Sequence, residues 1–207
     1  MKRLFALAAA VIAACIMAQA QDVAVHAGVQ GGGTLNRFSS TSGIKTRMLG
    51  GWNVGAVCIV KLPAYIVLQP SVNFERDYSL INLASEPVLR QFTMCQQFVN
   101  IPLSVQWGPD LGICRAFVQV VPALYINVGS KYDLDRGPDQ EWKDARNYMN
   151  PAQFGLGAGA GIDIWRFQLG IRYNWLFNAW RKDVADNPFS GLNGNQEGLS
   201  FTLTFFY

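Results

Sequence analysis

The chain holds one histidine, His26, the side chain whose ordinary pKa lies closest to neutrality. A lipid-modifying hydrolase or acyltransferase would need that imidazole beside a hydroxyl nucleophile and an orienting group. Ser200 and Thr202 fall on a C-terminal strand that can approach His26, yet on a face turned away from lipid chains. The plainer reading is a core histidine, and no catalytic residue is assigned. Lys61, Glu75, Arg115, Asp163 and Arg172 fall on positions that share the same interior face. Charges removed from water must be paired, so these five are read as one network of salt bridges and hydrogen bonds that plugs a narrow lumen. The sharper alternative is a gated pore or proton path.

The run from Asp133 to Glu141 spaces its carboxylates somewhat like a calcium loop, but Arg136 sits among them and the spacing departs from the twelve-residue form. A solvated acidic loop is the expectation. One histidine and scattered cysteines give no metal cluster, and no cofactor is expected. Cys58, Cys95 and Cys114 are an odd set in an exported chain, and each is read as a small apolar residue without a disulfide.

The elements that must carry these residues follow from composition. Half of the 207 residues are hydrophobic and only 15% are charged, yet no stretch of the body reaches the roughly 20 unbroken apolar residues of a spanning helix. Interleaved apolar and polar residues can cross lipid only as a closed barrel, where alternate side chains face lipid and lumen. Residues 1–20 read as a signal peptide: Lys2 and Arg3, an apolar run from Leu4 to Met17, and small residues at Ala18 and Ala20. A lipidated Cys15 after Ile12-Ala13-Ala14 is the alternative. Removing the leader leaves 15 bases against 14 acids, a balance that offers nothing to nucleic acid.

Alternation then sets out eight strands within residues 21–207. Leu199, Phe201, Leu203, Phe205 and Tyr207 form one greasy edge, and Phe205 with the terminal Tyr207 resembles the signal read by barrel-assembly machinery. Val99, Ile101, Leu103, Val105 and Trp107 repeat the pattern, as do Val23–Asn36, Phe154–Trp165 and Phe167–Phe177. Further strands are expected at Met48–Leu62, Tyr65–Glu75 and Arg115–Gly129. Gly155, Gly157, Gly159 and Gly161 face inward, making room for large side chains from opposite strands. Tight turns at Pro63-Ala64, Gly108–Gly112 and Trp165-Arg166 alternate with long polar loops at 37–47, 76–93, 130–151 and 178–197. This predicts an all-β fold, a closed antiparallel eight-stranded transmembrane β-barrel in an up-and-down meander, with both termini periplasmic. Pro70, Pro102 and Pro122 interrupt strands, which calls for a bulge, lumen water or a polar side chain nearby.

Leu68-Gln69-Pro70, the run Phe98-Val99-Asn100-Ile101-Pro102-Leu103, the glycine-rich Phe154–Gly161 and Leu169–Asn174 together resemble motifs of the PorT-like outer-membrane β-barrel family. Trp175-Leu176 stands where that resemblance leads one to expect Gly-Leu. The resemblance implies a bacterial outer-membrane scaffold without catalytic residues, and it keeps a secretion role open. The expected partners are outer-membrane lipid, the barrel-assembly machinery and an envelope or secretion protein. The expected role is structural or interactive, through Trp142, Tyr148, Trp180 and the loops that carry them. A lipid-modifying enzyme and a narrow channel stand as alternatives.

Overall fold

A computed structural model describes residues 25–39, 44–83, 91–134, 142–179 and 195–207. The leader and residues 135–141 of the acidic loop lie outside them. Among the described residues nine strands follow one another: β1 (Val25–Phe38), β2 (Ile44–Lys61), β3 (Ile66–Leu83), β4 (Gln91–Trp107), β5 (Cys114–Leu134), β6 (Trp142–Asp144), β7 (Ala152–Ile164), β8 (Phe167–Phe177) and β9 (Gln196–Phe206). Each long strand pairs antiparallel with its neighbours, β4 pairs with β5, and β1 pairs with β9, so eight of them close a barrel. Closure leaves no long edge unpaired, which is what a sheet in lipid requires. β6 is an addition. It takes over the flank of β5 beyond the β7 pairing, with Asp144 opposite Lys131, and the turn Arg146–Tyr148 leads back into β7.

Following the register from Phe167 through Phe205, Val29 and Ala56, then Leu124 and Phe154, leads back to β8 at Phe177. One circuit climbs ten residues, the stagger that eight strands need when tilted about 40°. The alternation read from the sequence is visible in the burial. Val29, Leu35, Val54, Leu103, Val105, Leu156, Leu169, Phe201 and Leu203 are exposed outward, while Thr34, Asn53, Ser71, Gln106, Gln153, Asn174 and Thr204 are buried inside. This fold is inside out relative to a soluble core. No helix among the described residues is long and apolar enough to cross a membrane.

The strands are longer than the sequence suggests. The segments 76–83 and 91–93, expected as loop, continue the β3–β4 ladder with Arg76 opposite Gln97 and Ile81 opposite Phe92. Likewise β5 runs to Leu134 and β1 to Phe38. Their polar outward residues hide them from a search for greasy edges, but backbone pairing does not depend on what the outward side chain is. The prolines are accommodated without any bulge. Pairing is skipped between Val57 and Val60 on β2, beside Pro70, and between Pro102 and Val105 on β4, beside Pro122, and resumes in unshifted register. The real irregularities lie higher, between Met48 and Trp52 on β2 and at Val128 on β5, opposite Gln97 and Phe98.

The inward glycines of β7 make room, though for neighbouring strands rather than opposite ones. A Cβ on Gly155 would stand 2.7 Å from the Tyr125 ring of β5, one on Gly157 at 2.7 Å from Cδ of Arg172 on β8, and one on Gly161 would collide with Phe117. In β1, a Cβ on Gly32 would collide with the Phe201 carbonyl.

Candidate functional site

The lumen has three storeys. At the end that carries the short turns lies an open recess of about 630 Å³, lined by His26, Lys61, Asp110, Arg115, Asp163 and Arg166. Its floor is built on Arg115. The guanidinium donates from Nε to Asp163 Oδ2 at 2.7 Å and from Nη2 to Gln106 Oε1 at 2.5 Å, and lies over the Phe117 ring at 5.0 Å. Gln168 donates to the other Asp163 oxygen at 2.8 Å, and Gln106 donates in turn to Gln69. Five strands are thereby tied across the mouth. Arg115 Nη1 alone of that guanidinium stays buried without a partner.

The middle storey is polar and packed. Gln30 donates to Asn73 at 2.5 Å, Ser104 to Gln119 at 2.6 Å, Asn174 to Ser200 at 2.6 Å and Asn100 to Glu75 at 2.9 Å. Higher on the same face of β3, Asp77 accepts the Thr34 hydroxyl at 2.6 Å. Glu75 and Asp77 are both buried, and neither makes an ion pair with a described residue. The third storey is apolar. Phe38, Ile81, Phe92, Met94, Ala145, Met149 and Ala179 form one cluster with exposures of 1% or less, and Tyr132 and Tyr148 pack against it. Below it the Met149 sulfur accepts from Gln96 at 3.6 Å and Asn127 at 3.7 Å, joining the cap to the polar column.

The five charges expected to form one network are dispersed. Arg115 and Asp163 make the one ion pair among them. Lys61 is exposed at the rim of the recess, Glu75 lies storeys away on an amide, and Arg172 crosses the β7 glycines with a buried Nε that has no partner. Asp77, a further buried carboxylate, is not legible as inward because its segment reads as loop; the alternation of Asp77, Ser79 and Ile81 against Tyr78 and Leu80 is the available signal.

His26 is exposed on the recess wall. Ser200 and Thr202 pair with Thr34 and Gly32, eight and six residues along β1 from His26, roughly 20 to 26 Å at strand spacing. The fold does not bring that dyad together. Asp133 is buried in β5 and Trp142 is exposed in β6, while Trp180 is outside the described residues. No group of three metal-ligating side chains gathers among the described residues, and Cys58, Cys95 and Cys114 join in no disulfide there. At the closing seam Phe205 packs between Phe167 at 5.2 Å and Tyr207 at 5.6 Å, and the Tyr207 amide donates to the Ala27 carbonyl at 2.9 Å.

A family profile described as "Outer membrane protein beta-barrel domain" matches residues 17–179. Among solved structures the chain is similar to Neisserial surface protein A, with 13% identity, 87% of this chain and 97% of that one covered, and a TM-score of 0.43. It is also similar to the attachment invasion locus protein of Yersinia pestis, solved with sucrose octasulfate, at 11% identity, 88% and 97% coverage and a TM-score of 0.42. OprG of Pseudomonas aeruginosa gives 9% identity, 88% and 94% coverage and a TM-score of 0.44. No curated protein matches the chain.

Proposed function

We propose that this chain, which belongs to the outer membrane protein beta-barrel domain family, is a closed scaffold of the bacterial outer membrane that acts through the surface at its loop end, as a structural or interaction protein and not as an enzyme or a pore. The apolar cap carries this reading. Seven buried side chains fill the loop end of the lumen, and beneath them a packed polar column leaves side chains where a pore would need water. Short turns face the periplasm and the loop end faces outward, with both termini periplasmic, as the alternation of turn and loop lengths supports. The resemblance to PorT-like barrels, carried by Leu68-Gln69-Pro70 and Phe98–Leu103, supports assembly with a secretion or envelope protein. Binding residues gather on loops held by a rigid barrel.

Reversible crosslinking of intact cells, followed by purification of this chain, tests the reading together with planar-bilayer recording. One envelope protein recovered reproducibly, and no discrete openings in the bilayer, is the expected result. Stepwise conductance from the purified protein would replace the scaffold with a channel.

A further inference from the structure

Three arginines lie on the lipid-facing edge of β1, β2 and β3 at the loop end of the apolar band. Arg37, Glu197 and Trp175 stand in one row of the register across β1, β9 and β8, and Arg76 stands directly opposite Trp52. Arg76 therefore sits beside an outward tryptophan and Arg37 two strands from another, at the level where aromatic girdles meet headgroups. Arg47 arrives by a different route. Below the irregularity on β2 the even-numbered residues face lipid, so an odd-numbered residue in unbroken register would point into the lumen. The extra residue between Met48 and Trp52 resets the phase, places Arg47 opposite Leu80, and leaves it exposed on the outward side.

The charge on this edge is unbalanced. Glu197 is its one outward carboxylate among the described residues; it holds Arg37 at 2.6 Å and accepts the Tyr173 hydroxyl at 2.6 Å. Arg76 lies over the Tyr78 ring at 5.3 Å and donates from Nε to Cys95 Sγ at 3.4 Å, with its Nη groups directed to no described side chain. Three guanidiniums against one carboxylate leave two positive charges at the headgroup level. At the opposite edge the outward residues include Trp107, Trp165, Phe167 and Tyr207, and the cations Lys61 and Arg166 line the recess.

We propose that the Arg37, Arg47 and Arg76 edge binds the phosphate groups of a phosphorylated glycolipid in the outer leaflet. A guanidinium offers phosphate two parallel N–H donors, and its stem lies along apolar surface while the head reaches the polar layer. Trp52, exposed beside Arg76, gives the first sugars or acyl carbons a flat surface. The proposal rests on the orientation given above, with the loop end outward.

The test uses full-length protein in phosphatidylcholine nanodiscs with diphosphoryl lipid A, dephosphorylated lipid A or phosphatidylglycerol added, and native mass spectrometry to count retained lipid. Diphosphoryl lipid A should be retained about tenfold better than either other lipid, and Arg37→Gln/Arg47→Gln/Arg76→Gln should remove that preference. Equal retention of the three lipids, or an undiminished preference in the triple variant, overturns the site. Should the triple variant fail to fold, Arg47→Gln alone should cut retention at least threefold, and an unchanged value counts against the site equally. Orientation is read separately, by reacting Lys143→Cys on intact cells with a membrane-impermeant maleimide and comparing with the parent protein. Absent labelling removes the orientation and the outer-leaflet assignment with it, whereas labelling with equal lipid retention removes the site alone.

Discussion

Arg115 and Asp163 are direct cross-strand partners in β5 and β7, so their 2.7 Å contact is set by the register and not by chance of rotamer. Arg115→Ala strands a carboxylate that keeps only Gln168, and should cost about 3 kcal/mol, the low end for a broken buried pair because Asp163 retains 21% side-chain exposure. Arg115→Ala/Asp163→Ala should recover part of that loss. Urea unfolding in phospholipid vesicles, followed by tryptophan fluorescence, gives both values; additive losses would show that the pair is not coupled.

Asp77 behaves differently because no cation among the described residues pairs with it. Asp77→Asn keeps an oxygen for the Thr34 hydroxyl and relieves Glu75 of a neighbouring buried carboxyl group. Stability at neutral pH should rise by roughly 1 kcal/mol, against a loss of about 1 to 3 kcal/mol for Asp77→Ala, which orphans the hydroxyl. A loss in both variants would mean that the carboxylate itself is needed.

Gly155→Leu and Gly161→Val drive side chains into Tyr125 and Phe117. Overpacking of this kind typically costs about 1 to 3 kcal/mol, and more where the wall opposite is backbone of a closed barrel. Reduced yield of the compact, heat-modifiable band on unboiled gels is the expected sign. Tyr125→Ala should rescue Gly155→Leu in part.

Phe92→Ala and Met149→Ala open the apolar cap from either side. Each should cost about 2 to 5 kcal/mol locally, read as faster amide exchange at the loop ends of β3, β4 and β5. Protection of the amides at Val99–Trp107 should stay unchanged. Uniform loss along the strands would show that cap and band unfold together.

His26→Ala removes an exposed ring on the recess wall. Stability should change by no more than about 0.5 kcal/mol, and the lipid profile of the host membrane should not change. An altered lipid profile would bring the enzyme reading back.

The barrel was legible because lipid enforces a two-residue period and the chain obeys it wherever lipid touches: all of Val99–Trp107 and Phe167–Phe177 fall as read. The signal fades where water replaces lipid. Outward Arg76 and Tyr78 are as acceptable there as leucine, so 76–83 carries no greasy edge and its pairing depends on partners far away in sequence. The site was legible in its parts and not in its assembly. Arg115 and Asp163 both read as inward, but the partner of Glu75 and the path of Arg172 depend on which residues of the neighbouring strand lie alongside, a register that leaves no trace in a single strand. Arg47 shows the limit most clearly, since one inserted residue reversed its face.

From Arg76 the third strand continues seven residues to Leu83, and the fifth continues to Leu134, in one row with Phe92 and Ile81. At about 3.3 Å per residue that is more than 20 Å of paired sheet past the tryptophan row, stiffened from within by its own small oily heart. The barrel thus ends in a pedestal. In the orientation proposed above, the length of that stem would hold a partner clear of the headgroups, and so would set the size of partner that can be met without descending to the bilayer.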